Sequence, residues 1–163
     1  MRKEQNNYAF IDGTNIHRSI EENGWTLDTR KFRVYLEERY GVTEAYYCIG
    51  YLERNQKLYE RLRNEGYKLV HKPAYNSKSG KIKGNIDSEL VLKAINEQDN
   101  YNKAVIVSGD GDFACLVSDL IEKDKFRILI PPAQDSCSKL LKKASQGRMC
   151  YIHSLKNKLE YHK

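Results

Sequence analysis

Short apolar runs alternate with stretches of helical periodicity along most of this 163-residue chain. The clearest runs are residues 8–11, which end at an Asp-Gly turn signal, and residues 104–107, which are entirely apolar. Strands without polar alternation are buried on both faces, and helices between such strands are typical of parallel β-α-β units. The pattern therefore predicts an α/β protein with a central parallel sheet.

The other elements follow from the same two periodicities. Further strands are predicted at residues 45–52, 67–71, 126–130 and 149–152. Helices are predicted at residues 15–22, 28–41, 55–66, 87–96 and 113–121, and after Ser136 or Ser138. Asp28 and Gly41 are the clearest end signals, because an Asp side chain caps free N–H groups and Gly accepts the left-handed backbone that ends many helices.

No linker or low-complexity segment divides the chain, so residues 1–155 are expected to form one domain. Within this domain, residues 74–85 are polar, basic and without periodicity, which predicts a loop. Residues 156–163 are expected to form a frayed polar tail at the C-terminus.

Composition limits the cell compartment and the partners of such a protein. No apolar run approaches the ~20 residues of a membrane span, and no apolar stretch follows Met1, so we expect neither a membrane protein nor a secreted one. The four cysteines form no Cys-x-x-Cys pair, which argues against a zinc site. Four free thiols favour a location in the reducing cytoplasm. A net charge of +6 favours an anionic partner, nucleic acid first.

Two of the predicted strands are each followed by a cluster of acidic and polar residues. Asp12 and Asn15 follow the first strand, while Ser108, Asp110 and Asp112 follow the strand at residues 104–107. Ligands of open parallel sheets bind beyond the carboxyl ends of the strands, so these side chains meet if the two strands are neighbours. A single Asp-Gly pair would be explained by a turn, but two such clusters at strand ends favour a site.

Glycines and carboxylates together indicate what that site binds. Gly13, Gly109 and Gly111 are expected to leave the backbone open to a ligand. Carboxylates gathered in one cleft repel each other unless a cation compensates their charge. Because neither His nor Cys lies in the two motifs, Mg²⁺ or Mn²⁺ fits better than zinc.

A third acid, Asp87, follows the basic loop and opens a predicted helix. A carboxylate at a helix N-terminus also complements the helix dipole, a stabilisation of ~0.3–1 kcal/mol. The residue by itself is therefore weak evidence for a ligand role.

Two basic groups are candidates for binding a nucleic acid strand. The loop offers Lys78, Lys81 and Lys83 for phosphates, and Tyr75 for stacking on a base. The second group includes Lys139 and Lys143, one helical turn apart. A solvated surface would carry the same residues, so that alternative stays open for both groups.

The sequence lacks the signature motifs of several other enzyme classes. Ser108 has no Gly-x-Ser-x-Gly elbow around it, and the chain has neither a P-loop nor a dinucleotide-binding glycine motif. His17 could act as a base, although an exposed or half-packed position on the first helix is the favoured explanation. A phosphatase of the haloacid dehalogenase type would need Asp where Thr14 stands, so this alternative is disfavoured.

Three motifs, at residues 10–15, 83–87 and 107–113, resemble the NYN domain, a PIN-like nuclease group that includes the LabA-like proteins. The resemblance extends over residues 8–155 and implies a three-layer α/β/α sandwich and metal-dependent cleavage of RNA. By motif match it implies that Asp12, Asp87, Asp110 and Asp112 hold the metal. It also implies that Asn15 and Ser108 orient ligands or water.

Two departures from this family pattern bear on turnover more than on fold. Lys93 lies in the region where many members carry another acid, so either Glu89 substitutes for that acid or the site holds fewer metal ligands. Ser145 stands where the family often has Asp. The prediction is a cytoplasmic ribonuclease that uses Mg²⁺ or Mn²⁺, with RNA as its partner and a homodimer left open. The alternative is an RNA-binding module whose acidic site is weak or inactive.

Overall fold

The computed structural model describes residues 5–71, 75–76, 82–83 and 86–163. The strands of its central sheet are β1 Asn7–Asp12, β2 Val42–Cys48, β3 Tyr67–Val70, β6 Ala104–Val107 and β7 Phe126–Leu129. Their order across the sheet is β3-β2-β1-β6-β7, and every neighbouring pair is parallel. The predicted α/β fold with a parallel central sheet is confirmed.

Seven α-helices connect and flank the strands in the described residues. They are α1 Gly13–Glu22, α2 Thr29–Tyr40, α3 Gln56–Asn64, α4 Asp87–Asn96, α5 Ala114–Glu122, α6 Lys139–Ala144 and α7 Lys156–Leu159. Helix α2 begins as predicted, since the Asp28 side chain accepts a hydrogen bond from the Lys31 N–H at 3.0 Å, and Gly41 ends it with φ of 63°.

Alternation along the strands separates two apolar cores, one on each face of the sheet. Ala9 and Ile11 of β1 pack with helices α1, α2 and α7, whereas Phe10 packs with helices α4, α5 and α6. Each strand side chain points opposite to its neighbours in sequence, so a fully apolar strand supplies both cores. The result is the three-layer sandwich that the family resemblance implied.

Strands β1 and β6 lie side by side at the centre of the sheet. Their register pairs Ile11 with Val107, the last residue of β6. Chain connections leave this pair in opposite directions, toward β2 and β3 on one side and toward β7 on the other. The carboxyl ends of β1 and β6 therefore form the switch point at which open parallel sheets bind ligands.

The predicted loop at residues 74–85 is wrong in part. A short antiparallel pair, β4 Tyr75–Asn76 and β5 Ile82–Lys83, lies within it. The sequence concealed this hairpin because two-residue strands are too short for an alternation of polar and apolar residues to be recognised.

The predicted strand at residues 149–152 is also wrong. Met149 makes one isolated bridge with Leu129, and a 3₁₀ turn, Ile152–Leu155, follows. Beyond Leu129 the neighbouring segment contains Pro131 and Pro132, whose carbonyls accept hydrogen bonds from Ile152 and His153. Because proline has no N–H group, a regular ladder cannot continue along it.

The C-terminal segment packs on the fold up to Tyr161, so the expectation of a frayed tail is wrong for this part. Leu159 is buried, and its carbonyl accepts a hydrogen bond from the Asp28 N–H at 2.8 Å. The Tyr161 N–H donates to the Thr26 carbonyl at 2.9 Å. One apolar residue among lysines gave no periodic signal, although it anchors the segment.

No helix in the described part of the chain is long and apolar enough to cross a membrane.

Candidate metal centre

Asp12 occupies the carboxyl end of β1 and caps helix α1. Its side chain is 3% exposed and accepts hydrogen bonds from the Asn15 N–H at 3.3 Å and from the Ser108 hydroxyl at 3.1 Å. Burial raises the pKa of Asp12, and these two donors lower it without cancelling that rise. The sheet thus holds a carboxylate where ionisation is costly.

The turn after β6 brings a second acid to the same place. Ser108 is fully buried, and its hydroxyl oxygen accepts a hydrogen bond from the Asp110 N–H at 3.1 Å while donating to Asp12. The Gly109 N–H donates to the Asn15 side-chain oxygen at 3.0 Å. These bonds fasten the β6 turn to the start of α1, so Ser108 and Asn15 orient the acids.

Asp87 completes a cluster of three carboxylates. It begins helix α4, and one ligand oxygen each of Asp12, Asp87 and Asp110 lies within 4.8 Å of the others. Partial burial raises the pKa of Asp87 to about 7, and repulsion from Asp110 and Asp12 adds to the rise. Because the site gathers more negative charge than its protein donors neutralise, it favours a bound cation.

Asp112, the fourth predicted metal acid, lies outside this cluster among the described residues. It is exposed, and its N–H donates to the Asp110 carboxylate at 2.9 Å. Its charge still contributes to the raised pKa of Asp87. Asp112 therefore adds charge at the rim of the site and helps to orient Asp110.

The glycines of the two motifs make room for protein atoms, and the expectation that they leave space for a ligand is wrong. A Cβ at Gly13 would collide with the Tyr47 ring, and one at Gly109 would collide with the Ser136 carbonyl. Only a residue without a side chain fits these close approaches. The glycines thus allow the elements that carry the acids to pack closely.

Two features of the site gave no clear signal in the sequence. Arg18, exposed on α1, lowers the pKa of Asp12 by its charge and is thus a cation near the acids. Behind Gly13, the fully buried Tyr47 hydrogen bonds through its hydroxyl to His17.

The predicted strand-binding residues divide into two groups. Lys139 and Lys143 are exposed on α6, which starts beside the acidic turn, because the Ser138 N–H donates to the Gly109 carbonyl at 2.9 Å. The remaining predicted contacts lie outside the described residues in whole or in their side chains: Tyr75, Lys78, Lys81 and Lys83.

The positions that depart from the family pattern have other partners. Lys93 lies over the Tyr46 ring, 5.2 Å from its centroid, with its ammonium 3.9 Å from the Glu97 carboxylate. Ser145 is buried, and its hydroxyl donates to the Lys142 carbonyl at 2.8 Å. Glu89, half-buried on α4, is not a member of the carboxylate cluster in the described residues.

Comparisons with known proteins agree with this architecture. The family model for the NYN domain matches residues 8–152. The chain therefore belongs to the NYN domain family, as its motifs predicted.

Two similar proteins extend the comparison. The low amplitude and bright protein LabA of Synechococcus elongatus is 30% identical over 114 residues, which cover 64% of this chain and 61% of that protein. The match thus spans less than two thirds of LabA. The crystal structure of a Vibrio parahaemolyticus protein of unknown function aligns with a TM-score of 0.82 at 19% identity, over 99% of each chain. At this identity the likeness concerns the fold.

Proposed function

We propose that this NYN-domain protein is a ribonuclease that depends on a divalent metal ion and hydrolyses RNA phosphodiester bonds. One observation carries the proposal: Asp12, Asp87 and Asp110 come from three separate elements and place ligand oxygens within 4.8 Å of one another. Helix caps alone would not require three acids from distant parts of the sequence to converge. The family's PIN-like relationship supplies the reaction class.

The donor set suits a hard cation. All three ligands of the cluster are carboxylates, and His and Cys are absent from it among the described residues. Oxygen ligands of this kind favour Mg²⁺ or Mn²⁺. When bound, such an ion would neutralise charge on the scissile phosphate and lower the pKa of a water molecule.

The remaining residues of the site act by orientation and charge. Ser108 fixes the Asp12 carboxylate and the Asp110 backbone through one hydroxyl. Asn15 ties helix α1 to the turn at Gly109. Arg18 and Lys139 are exposed and can attract a substrate phosphate. The lysines of the basic loop are expected to do the same on the evidence of the sequence. No side-chain nucleophile is required, because water would attack the phosphorus directly while the bond from phosphorus to one ribose oxygen breaks and that oxygen takes up a proton.

The test uses labelled single-stranded RNA with purified protein and Mn²⁺. We expect cleavage by the parent, none after chelation, and loss of activity in Asp12→Asn. Asp99→Asn is the matched control. Asp99 is an exposed acid in a 3₁₀ turn that precedes β6, so it lies near the amino ends of the strands, away from the cluster at their carboxyl ends. Failure of the parent to cleave any RNA in Mn²⁺ would rule out the proposal.

Lys93 favours a second candidate, an RNA-binding module with a weak or inactive site. This cation stands in the region where many family members have an acid, and its partners are Tyr46 and Glu97. Under this candidate, RNA would bind in a salt-dependent manner and remain intact in Mn²⁺. Introducing the acid, as in Lys93→Asp, would then raise cleavage. Cytoplasmic location and a homodimer remain predictions from the sequence.

A further inference from the structure

A surface cleft of about 610 Å³ lies between helices α5 and α6, and it could not be predicted from the sequence. Ala114 and Cys115 line it from α5, while Leu140 and Lys143 line it from α6. Both helices begin at the acidic turn: α5 directly follows Phe113, and the Ser138 N–H donates to the Gly109 carbonyl. The near end of the cleft therefore adjoins the carboxylate cluster.

The exposed face of α5 connects the acidic turn with the whole cleft. Asp112, Cys115 and Glu122 are all exposed on this side, and the last two line the cleft. Residues 114–122 of α5 cover about 12 Å at the helical rise of 1.5 Å per residue. A nucleic acid strand that leaves the carboxylates over Asp112 can therefore continue along α5 into the cleft.

The chemistry of the cleft suits a nucleobase better than a phosphate. Leu140 lines the cleft and is 68% exposed, so it offers an apolar surface that a bound base would cover. Asp119 and Glu122 also line the cleft and repel phosphate, although Asp119 is paired with Lys123 at 2.8 Å. Lys139 and Lys143 are exposed on α6, where they can contact the phosphates of the nucleic acid strand.

We propose that the cleft between α5 and α6 binds a base of the single-stranded RNA that flanks the scissile phosphate. The proposal rests on the proposed ribonuclease function. The base packs against Leu140 and Ala114, with Cys115 beneath it, while the sugar-phosphate chain runs past Lys139 and Lys143. Contacts with a base face tolerate different sequences, because every base has one.

Cys115 provides a direct test. It is the exposed cysteine, while Cys48 and Cys137 are buried and Cys150 is half-buried. We expect a short single-stranded RNA, bound in Ca²⁺ to slow hydrolysis, to reduce alkylation of Cys115 by iodoacetamide at least about 5-fold. A strand of abasic ribose should protect it less than about 2-fold. Alkylation of Cys150, mapped by mass spectrometry, is the internal control and should not change.

Substitution of the apolar contact gives a second measurement. Leu140→Ala should weaken binding of the RNA about 5-fold and leave the melting temperature unchanged, because the side chain is exposed. Val34→Ala is the matched control, since Val34 is 47% exposed on α2, on the other face of the sheet. Equal affinities of parent and Leu140→Ala would overturn the proposal.

The same preparation is assayed for RNA cleavage in Mn²⁺, which separates the two hypotheses. Cleavage without protection of Cys115 would overturn the base site and leave the ribonuclease intact. Base-dependent protection without cleavage would overturn the ribonuclease and support the cleft as an RNA site.

Discussion

The two ends of strand β1 bury polar side chains of similar size with opposite consequences. Asn7 is 4% exposed and Asp12 is 3% exposed. The Asn7 amide donates to the Tyr40 carbonyl at 2.7 Å and accepts from the Lys103 N–H at 3.0 Å, so its neutral groups are matched. Asp12 also has two hydrogen bonds but faces two further carboxyl groups, Asp87 and Asp110.

Within one strand, the buried residue at one end therefore serves stability and the buried residue at the other end serves function. A neutral amide with both partners stabilises the fold, because no charge is removed from water. A carboxylate of equal burial loses hydration and meets like charges, which raises its pKa and opposes folding. An arrangement that costs stability persists where it serves a site. The following predictions test this contrast.

The largest effect is expected at the acidic end. Asp12→Asn keeps the size of the side chain but removes one negative charge from the cluster. RNA cleavage in Mn²⁺ should fall at least ~10²-fold, the scale of losing one electrostatic element of an organised site. Without metal, the melting temperature should hold steady or rise, since repulsion is relieved. Stabilisation by Mn²⁺, measured by thermal shift, should shrink.

One result would contradict this prediction. If Asp12→Asn cleaves RNA at the parent's rate in saturating Mn²⁺, metal-dependent hydrolysis at this cluster is wrong. Asp99→Asn controls for the removal of an exposed carboxylate and should behave like the parent.

At the neutral end, Asn7→Ala should lower stability and spare activity. It leaves the Tyr40 carbonyl and the Lys103 N–H without their partner, a cost of about 2–3 kcal/mol in the free energy of unfolding. Urea denaturation measures this loss, and cleavage per folded molecule should not change. Asn6→Ala, at an exposed neighbour, should cost less than about 1 kcal/mol. Equal losses for the two variants would contradict the role assigned to burial.

Salt dependence should distinguish the lysines of the predicted basic loop from a lysine at the neutral end of β1. Replacing Lys78, Lys81 and Lys83 by Ala should flatten the slope of log affinity against log salt by up to about 2, at about 0.7 per phosphate contact on single strands. Lys103→Ala, at the neutral end, is the control and should keep the parent's slope. A triple variant with unchanged slope and affinity would show that the basic loop does not contact RNA.

The smallest effect is a pH dependence of stability in the metal-free protein. The pKa of Asp87 is raised to about 7 in the folded chain, against about 4 in an unfolded one. Between these values the folded state binds more protons, so rising pH lowers the free energy of unfolding. Asp87→Asn removes this dependence and should melt higher than the parent at pH 8, by on the order of a degree or two, since solvent screens the group.

At pH 5 the melting temperatures of Asp87→Asn and the parent should converge, because the carboxyl is then largely neutral in the folded protein. A difference that is the same at pH 5 and pH 8 would show that Asp87 acts through packing and not through its charge.

Elements with a clear local signal could be predicted from the sequence almost residue by residue. Helix α4 and strand β6 have the predicted bounds, 87–96 and 104–107. Strand β2 begins at Val42, three residues before the predicted start, because pairing with β1 extends it. Elements that depend on a distant partner, such as the bridge at Met149 and the packed Leu159, had no local signal.

The candidate site shows the same division. Asp12 and Asp110 could be identified because each follows a recognisable strand and strand ends share one edge of a sheet. Asp87 could not be identified from its own surroundings, since a carboxylate at a helix start has a sufficient local explanation. Arg18 and the cleft between α5 and α6 depend on distances between helices, about which periodicity says nothing.

The sequence by itself determined the fold class, the family and the two strand-end motifs, because these rest on the order and spacing of residues along the chain. Tertiary structure alone decided which acids meet: Asp12, Asp87 and Asp110 come together, and Asp112 stays at the rim. It also decided that Gly13 and Gly109 serve packing. The physical reason is that burial, repulsion and steric contact are properties of distance in space, and folding sets those distances through partners far apart in the chain.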